Sequence, residues 1–191
     1  MRTFSVEAVG MCPLLMHGMN EETLEPESQS EGSKPDSTIL PSGPKWWGYA
    51  YFDAEIGCYI PAENIYKMHE MAGNKVVFKS PEKMGGIAKS FIFAQPDKIQ
   101  LLEDGKPVTR LEDLKPFKKA CDSRGGKGGG RVLRIRPIFY KWSINYELVV
   151  INDDIPEDRI LKVVELAGIR IGLCDWRPLF GRFIADIKLK K

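Results

Sequence analysis

No run of about 18 apolar residues occurs in the chain, so it offers no helix of the length needed to cross a bilayer. The opening residues, MRTFSVEAVG, lack the apolar centre of a secretory signal, and a cytoplasmic protein without membrane contact is expected. Cysteine and histidine are scarce. Cys12, Cys58, Cys121 and Cys174 form no CxxC pair, and His17 and His69 are not spaced as zinc ligands. Each cysteine stands in or beside an apolar run, so reduced, mostly buried thiols are expected. Asp175 has no second carboxylate nearby with which to hold a cation, and neither a metal site nor a cofactor is expected. GGKGGG resembles a phosphate loop only superficially. Lys127 is followed by Gly128 instead of Ser or Thr, and a strand pattern follows instead of a helix.

What is present is an ordinary globular composition with an uneven charge. Hydrophobic residues make up 43% and charged residues 28% of 191, which excludes wholesale disorder and suffices for a single domain over residues 1–191. The net charge is only +2. Between Lys115 and Arg136, however, eight basic residues face one acid, Asp122, for a local charge of +7. Between Met1 and Pro44 seven acids outweigh two basic residues, for −5. Such asymmetry points to a localised face for a polyanion.

The hydrophobic pattern marks out the elements. Phe4, Val6 and Ala8 alternate with Thr3, Ser5 and Glu7, as in a half-buried strand. Residues 20–44 are rich in Glu, Ser, Pro and Gly, and read as a flexible insertion that cannot bury enough surface to offset its ordering entropy. The aromatic run WWGYAYF, from Trp46 to Phe52, reads either as a hairpin arm packed on the core or as a stacking surface. A helix is expected over Pro61–Ala72, with Ile65, Met68 and Ala72 on its apolar stripe and Gly73 as a left-handed stop. His69 beside that stripe reads as structural or solvent-facing. A weaker helix near Pro81–Lys89 precedes strands at Ser90–Ala94 and Lys98–Leu102. Residues 115–130 read as a basic loop.

Two strong strands follow. In the first, Leu133 and Ile135 are expected to be buried, with Arg134 and Arg136 facing solvent or a ligand. In the second, Trp142 to Ile151, alternation is regular. Asp153 or Asp154 is expected to cap a second helix with Pro156 in its first turn, Ile160, Leu161, Val164 and Ala167 on its stripe, and Gly168 as its stop. A glycine-rich loop leads to a last strand from Phe183. Together these make an α+β fold with a ferredoxin-like, RRM-like βαββαβ core. In RRM-type proteins the open sheet face and its loops bind single-stranded nucleic acid.

Two stretches resemble the RAMP superfamily, in particular the Cas7-type backbone subunits of CRISPR effectors. One is GCYIPAENIYKMHEMAG, where Tyr-Ile-Pro leads from a strand into a helix. The other runs from Arg134 to Phe183, with Arg-Pro-x-Phe ending one strand and a glycine-rich loop (Gly168, Gly172, Gly181) closing on Gly-Arg-Phe before the last strand. The resemblance covers about half the chain. Ala62-Glu63-Asn64 stands where the family has Gly-Ser-Ser, and the arginine that often ends that helix is absent. The compact size and acidic insertion suggest a stand-alone, phage-encoded member.

The basic residues Lys118, Lys119, Arg124, Lys127, Arg131, Arg134, Arg136 and Arg182 are the candidate phosphate contacts, and Trp176 and Arg177 the candidate stacking pair. A local ion pair between Arg177 and Asp175 is the competing reading of that loop. Binding of single-stranded RNA or DNA is the first function these residues support. Others are a subunit, mimic or inhibitor of a CRISPR-type complex acting by protein contacts, a metal-independent endoribonuclease with His17 as general base, and a small-nucleotide binder. The expected partners are a single-stranded nucleic acid and either further copies of the chain or effector-complex subunits.

Overall fold

The computed structural model describes residues 1–18, 46–122 and 131–190. The expected insertion at residues 20–44 lies outside the described residues, as do Arg124 and Lys127. The chain opens with β1 (Arg2–Gly10), whose Phe4, Val6 and Ala8 are buried as the alternation requires. The apolar stretch after it forms the short β2 (Leu14–Leu15). The aromatic run is a 3-10 turn at Trp46–Tyr49 followed by β3 (Phe52–Asp53), which pairs with β4 (Gly57–Pro61). Pro61 closes β4 and leads directly into α1 (Ala62–Gly73), where Glu63 suits the positive end of the helix. Ile65, Met68 and Ala72 face the core.

Gly73 is not the expected left-handed stop, since it remains in the helix and Asn74 after it is right-handed. Its role is close approach. A Cβ there would lie 2.7 Å from the backbone N of Gly85, in α2 (Met84–Phe91). Next come β5 (Ile92–Gln95), β6 (Lys98–Glu103) and the two-residue β7 (Lys106–Pro107). The expected basic loop begins instead as a strand: β8 (Lys115–Asp122) pairs along its length with β9 (Arg131–Phe139). Then follow β10 (Trp142–Val150), α3 (Glu157–Leu166) and β11 (Phe183–Leu189).

Neither Asp153 nor Asp154 caps α3, whose N-terminal boundary residue is Pro156. Asp153 instead accepts hydrogen bonds from the N-terminal amine, the closer at 2.6 Å. Gly168 does not end α3 either. A π-helical turn, Ala167–Ile171, carries the helix on to Gly172, whose φ of 78° supplies the left-handed stop. Gly168 is needed for space, because a Cβ would lie 2.4 Å from the carbonyl oxygen of Phe183.

The main sheet runs β11-β1-β10-β6-β4-β3, with β5 also paired to β10. Strands β5 and β6 share one edge of β10, β5 at Glu147–Val150 and β6 at Trp142–Ile144. They serve together as a single strand interrupted at Pro96, which has no N–H to continue a ladder. The order is then that of a ferredoxin-like α+β fold, with α1 and α3 as its two helices. Phe4, Val6, Ala8, Ile144, Tyr146 and Leu148 join the buried residues of both helices in one cluster. A smaller sheet, β2-β9-β8, stands beside the main one. Among the described residues no helix is long and apolar enough to cross a membrane.

Candidate nucleic-acid interface

Two surfaces compete for the site, and charge separates them. The open face of the main sheet holds a shallow groove of about 400 Å³ lined by Ser5, Glu7, Asn145, Glu147, Asp186 and Lys188, among others. Glu7 lies directly opposite Asp186 across the β1–β11 pair. Lys188 is engaged by Asp186 at 2.6 Å, and Lys190 by Glu147. A face whose carboxylates adjoin one another and whose lysines are already paired is poorly suited to a polyanion.

The β8–β9 hairpin is different. Residues directly opposed in an antiparallel pair share a face. The register therefore puts Phe117 with Arg136 and Lys119 with Arg134 on one side, and Lys118 with Ile135 and Ala120 with Leu133 on the other. Burial does not follow the alternation expected from sequence. Ile135 is buried, but Leu133 is 48% exposed, and Arg136, expected to face solvent, is fully buried.

Protein groups replace water around part of the Arg136 guanidinium, while its second Nη finds no hydrogen-bond partner among the described residues. Its Nε donates to Oδ2 of Asp175 at 3.1 Å, one Nη donates to the carbonyl of Ile135 at 2.9 Å, and the group lies 4.7 Å over the ring of Tyr49. The partner of Asp175 is thus Arg136, not Arg177 as the local reading of DWRP held. Arg177 is exposed.

Asp175 belongs to the glycine-rich loop, which is tied down at several points. The Asp175 N–H donates to the carbonyl of Leu15 at 2.9 Å, and the Gly181 N–H to that of Pro13 at 2.9 Å. Gly172 and Gly181 adopt φ of 78° and 75°. Cys174 and Trp176, on either side of Asp175, also have positive φ, 60° and 52°. Side chains with a Cβ rarely adopt that conformation, and it persists only where the surroundings impose it. Oδ1 of Asp175 accepts the backbone N–H of Trp176 at 3.0 Å.

The Trp176 indole meets the basic face of the hairpin. It lies 5.6 Å from Phe117 and 6.2 Å from Phe180, at interplanar angles of 84° and 55°. The Lys119 ammonium sits 5.2 Å above the ring. Neither phenyl is parallel to the indole. The structure thus brings together Lys119, Arg134, Arg136 and Trp176, with Arg177 following in the same loop. Lys118 is exposed on the reverse face of the hairpin. Arg182 is exposed beside Met11 and Cys12, where its backbone N–H approaches Cys12 Sγ at 3.3 Å. Arg131 lies in β9 opposite Asp122. Arg134 is half-buried, and its Nε finds no partner among the described residues.

His17 stands near this cluster, its Nδ1 3.9 Å from Asp175 Oδ2 and its ring 5.1 Å from that of Tyr49. Partial burial lowers its pKa, and the positive charge of Arg136 lowers it further. The arrangement favours a neutral imidazole, but the separation from Asp175 is too long for a direct hydrogen bond. No group of three His, Cys, Asp or Glu able to hold a metal occurs among the described residues. Sequence reasoning missed Phe117 and Phe180, and it placed Tyr49 only within the aromatic run, not beside Arg136 and His17. Phe117 was detectable as the one aromatic residue within KPFKK, whereas Tyr49 and Phe180 reach the cluster only through folding.

No family model matches the chain, and no curated protein matches it. A solved structure does: a chain of the type III-B Cmr-beta complex bound to cognate target RNA, studied by cryo-electron microscopy. It is 15% identical with a TM-score of 0.56, and the match covers 100% of this chain and 61% of that one. At this identity the likeness is one of fold, and this chain spans less than two thirds of its neighbour.

Proposed function

We propose that this protein is a RAMP-type, Cas7-like binder of single-stranded RNA, with its contact surface on the β8–β9 hairpin and the adjoining glycine-rich loop. The observation that carries the reading is the union of Lys119, Arg134 and Trp176 on one face of the hairpin. Cations that track phosphates beside an aromatic ring that stacks a base are the two requirements of sequence-tolerant single-strand binding. The fold likeness to a chain of an RNA-bound assembly supports RNA as the ligand, and the resemblance of the YIP segment and the terminal glycine-rich loop to RAMP proteins points the same way. Exposed Leu133 and Leu179, 48% and 64% accessible, favour a second role for the same end of the molecule in contacting other subunits of a complex.

The test is binding of labelled single-stranded RNA across a salt series. Each phosphate neutralised on a single strand contributes about −0.7 to the slope of log affinity against log salt. Lys119→Ala with Arg177→Ala removes two exposed cations and should flatten the slope by about 1.4. Lys118→Ala, on the reverse face, should leave it nearly unchanged. Absence of binding by the wild type at low salt would overturn the proposal in favour of subunit contact alone. Equal binding of DNA would remove the preference for RNA.

A further inference from the structure

Among the described residues Arg136 is the only fully enclosed arginine, yet it stands on the strand face that carries the candidate contacts. A guanidinium without access to solvent cannot meet a phosphate in this arrangement. Its position suits a different task. The Asp175 carboxylate is shared: one oxygen takes Arg136 Nε–H at 3.1 Å and the other takes the Trp176 N–H at 3.0 Å. The backbone N–H of Asp175 is fixed in turn to Leu15 at 2.9 Å. The two residues flanking Asp175 hold φ of 60° and 52°, a region that Cys and Trp enter only under constraint. The carboxylate therefore joins the buried strand β9 to the strained backbone that sets the direction of the indole.

We infer that Arg136 and Asp175 are positioning residues that aim Trp176 as a stacking platform for one unpaired nucleobase of the RNA. This rests on the RNA-binding reading above. Neither residue touches the base. Arg136 orients Asp175, Asp175 fixes the Trp176 backbone, and the ring is presented beside Lys119. The Lys119 ammonium lies over the indole and no phenyl ring lies parallel to it, so the proposed base stacks on the part of the ring that Lys119 does not cover. Stacking of this kind accepts any base, since every base has a π-face.

A double-mutant cycle tests the inference, with Asp175→Asn as a conservative companion to Asp175→Ala in case the latter fails to fold. Trp176→Ala should weaken binding of single-stranded RNA roughly tenfold without changing the salt slope. Asp175→Ala should do the same to a lesser extent, and the two together should lose no more than Trp176→Ala alone. Additive losses, or a flatter slope for Asp175→Ala, would show that Asp175 acts apart from Trp176 and would overturn the inference. So would an unchanged affinity for Trp176→Ala in a wild type that binds. An arm without RNA keeps this distinct from the parent reading: the indole N–H resonance of Trp176, assigned through Trp176→Phe, should shift in Asp175→Asn and not in Lys118→Ala. A resonance that does not move overturns the positioning role even if RNA binds. A wild type that binds no RNA overturns the stacking claim and leaves only the internal clamp.

Discussion

His69 and Tyr146 meet in the core, the imidazole Nε2 3.4 Å from the phenol oxygen, with His69 only 3% exposed. Burial disfavours the charged imidazole and lowers its pKa from 6.5 to about 4. The unfolded chain binds this proton more readily than the fold does, so the contribution to stability is complete above pH 6.5. It is lost as pH falls from 6.5 towards 4. The slope in that window is at most about 1.4 kcal/mol per pH unit, for a total on the order of 3 kcal/mol. His17 shifts in the same direction and adds to the trend. Urea denaturation at pH 7.5 and 5 should show a fall in wild-type stability that shrinks by more than half in His69→Gln, which keeps a partner for Tyr146 but does not titrate in this range. An equal fall in both would place the titration elsewhere. Position on the helix left His69 readable as either structural or solvent-facing, because it borders the Ile65–Met68–Ala72 stripe, and the fold decides for burial. Arg136 was not legible in that way. Alternation along β9 says only that it opposes Ile135, and its acceptor, Asp175, lies 39 residues further along the chain.

At the scale of elements, most strands and both long helices could be read from the sequence, because their burial follows periods of two or of about 3.6 residues. Errors gathered where one residue type has several uses. Glycine is the clearest case. Gly73 and Gly168 were read as helix stops, and both instead provide space for a neighbouring backbone. The left-handed turns belong to Gly57, Gly105, Gly172 and Gly181. Similarly, Lys115–Asp122 reads as a loop from its charge, but forms β8 because β9 supplies a full antiparallel partner. The two uses of glycine predict different sensitivities. Gly105 and Gly181 share a φ near 75°, 74° and 75° respectively. Around Gly105 nothing lies within 4 Å of an added Cβ, whereas at Gly181 that atom would be 2.0 Å from the Leu173 carbonyl oxygen. Gly105→Ala should therefore lose only the conformational preference, about 1 kcal/mol. Gly181→Ala must also open the loop that holds Asp175 and Trp176, and should lose about 3 kcal/mol or more. Paired chemical-denaturation curves check this, and similar losses would show that the loop yields without strain.

At the scale of the molecule, the question is whether the smaller sheet, which bears the candidate interface, folds with the main one. Several links argue that it does. The Trp142 indole, in the first position of β10, donates from Nε1 to the carbonyl of Cys12 at 2.8 Å, between β1 and β2. The same ring lies 6.0 Å from Phe183, at the start of β11. A Cβ on Gly10 would stand 2.3 Å from Trp142 Nε1, so the chain leaving β1 must pass close beneath the indole. Leu14, Met16 and Phe139 of the smaller sheet and its flanks belong to the same buried cluster as Phe4 and Ile144 of the main one. With core side chains shared in this way, neither sheet can separate without exposing apolar surface of the other, at about 25 cal/mol for each Å². Unfolding should accordingly be a single cooperative transition. Far-ultraviolet circular dichroism, which follows the whole backbone, and the indole resonance of Trp176, which follows the interface loop, should lose native signal at one denaturant concentration. If the Trp176 signal were lost first, by more than the error of the midpoints, the interface would be a separately melting unit. Trp142→Phe, which removes the hydrogen bond to Cys12, should lower the common midpoint without splitting the transition; two resolved transitions in this variant would show that the indole alone holds the sheets together.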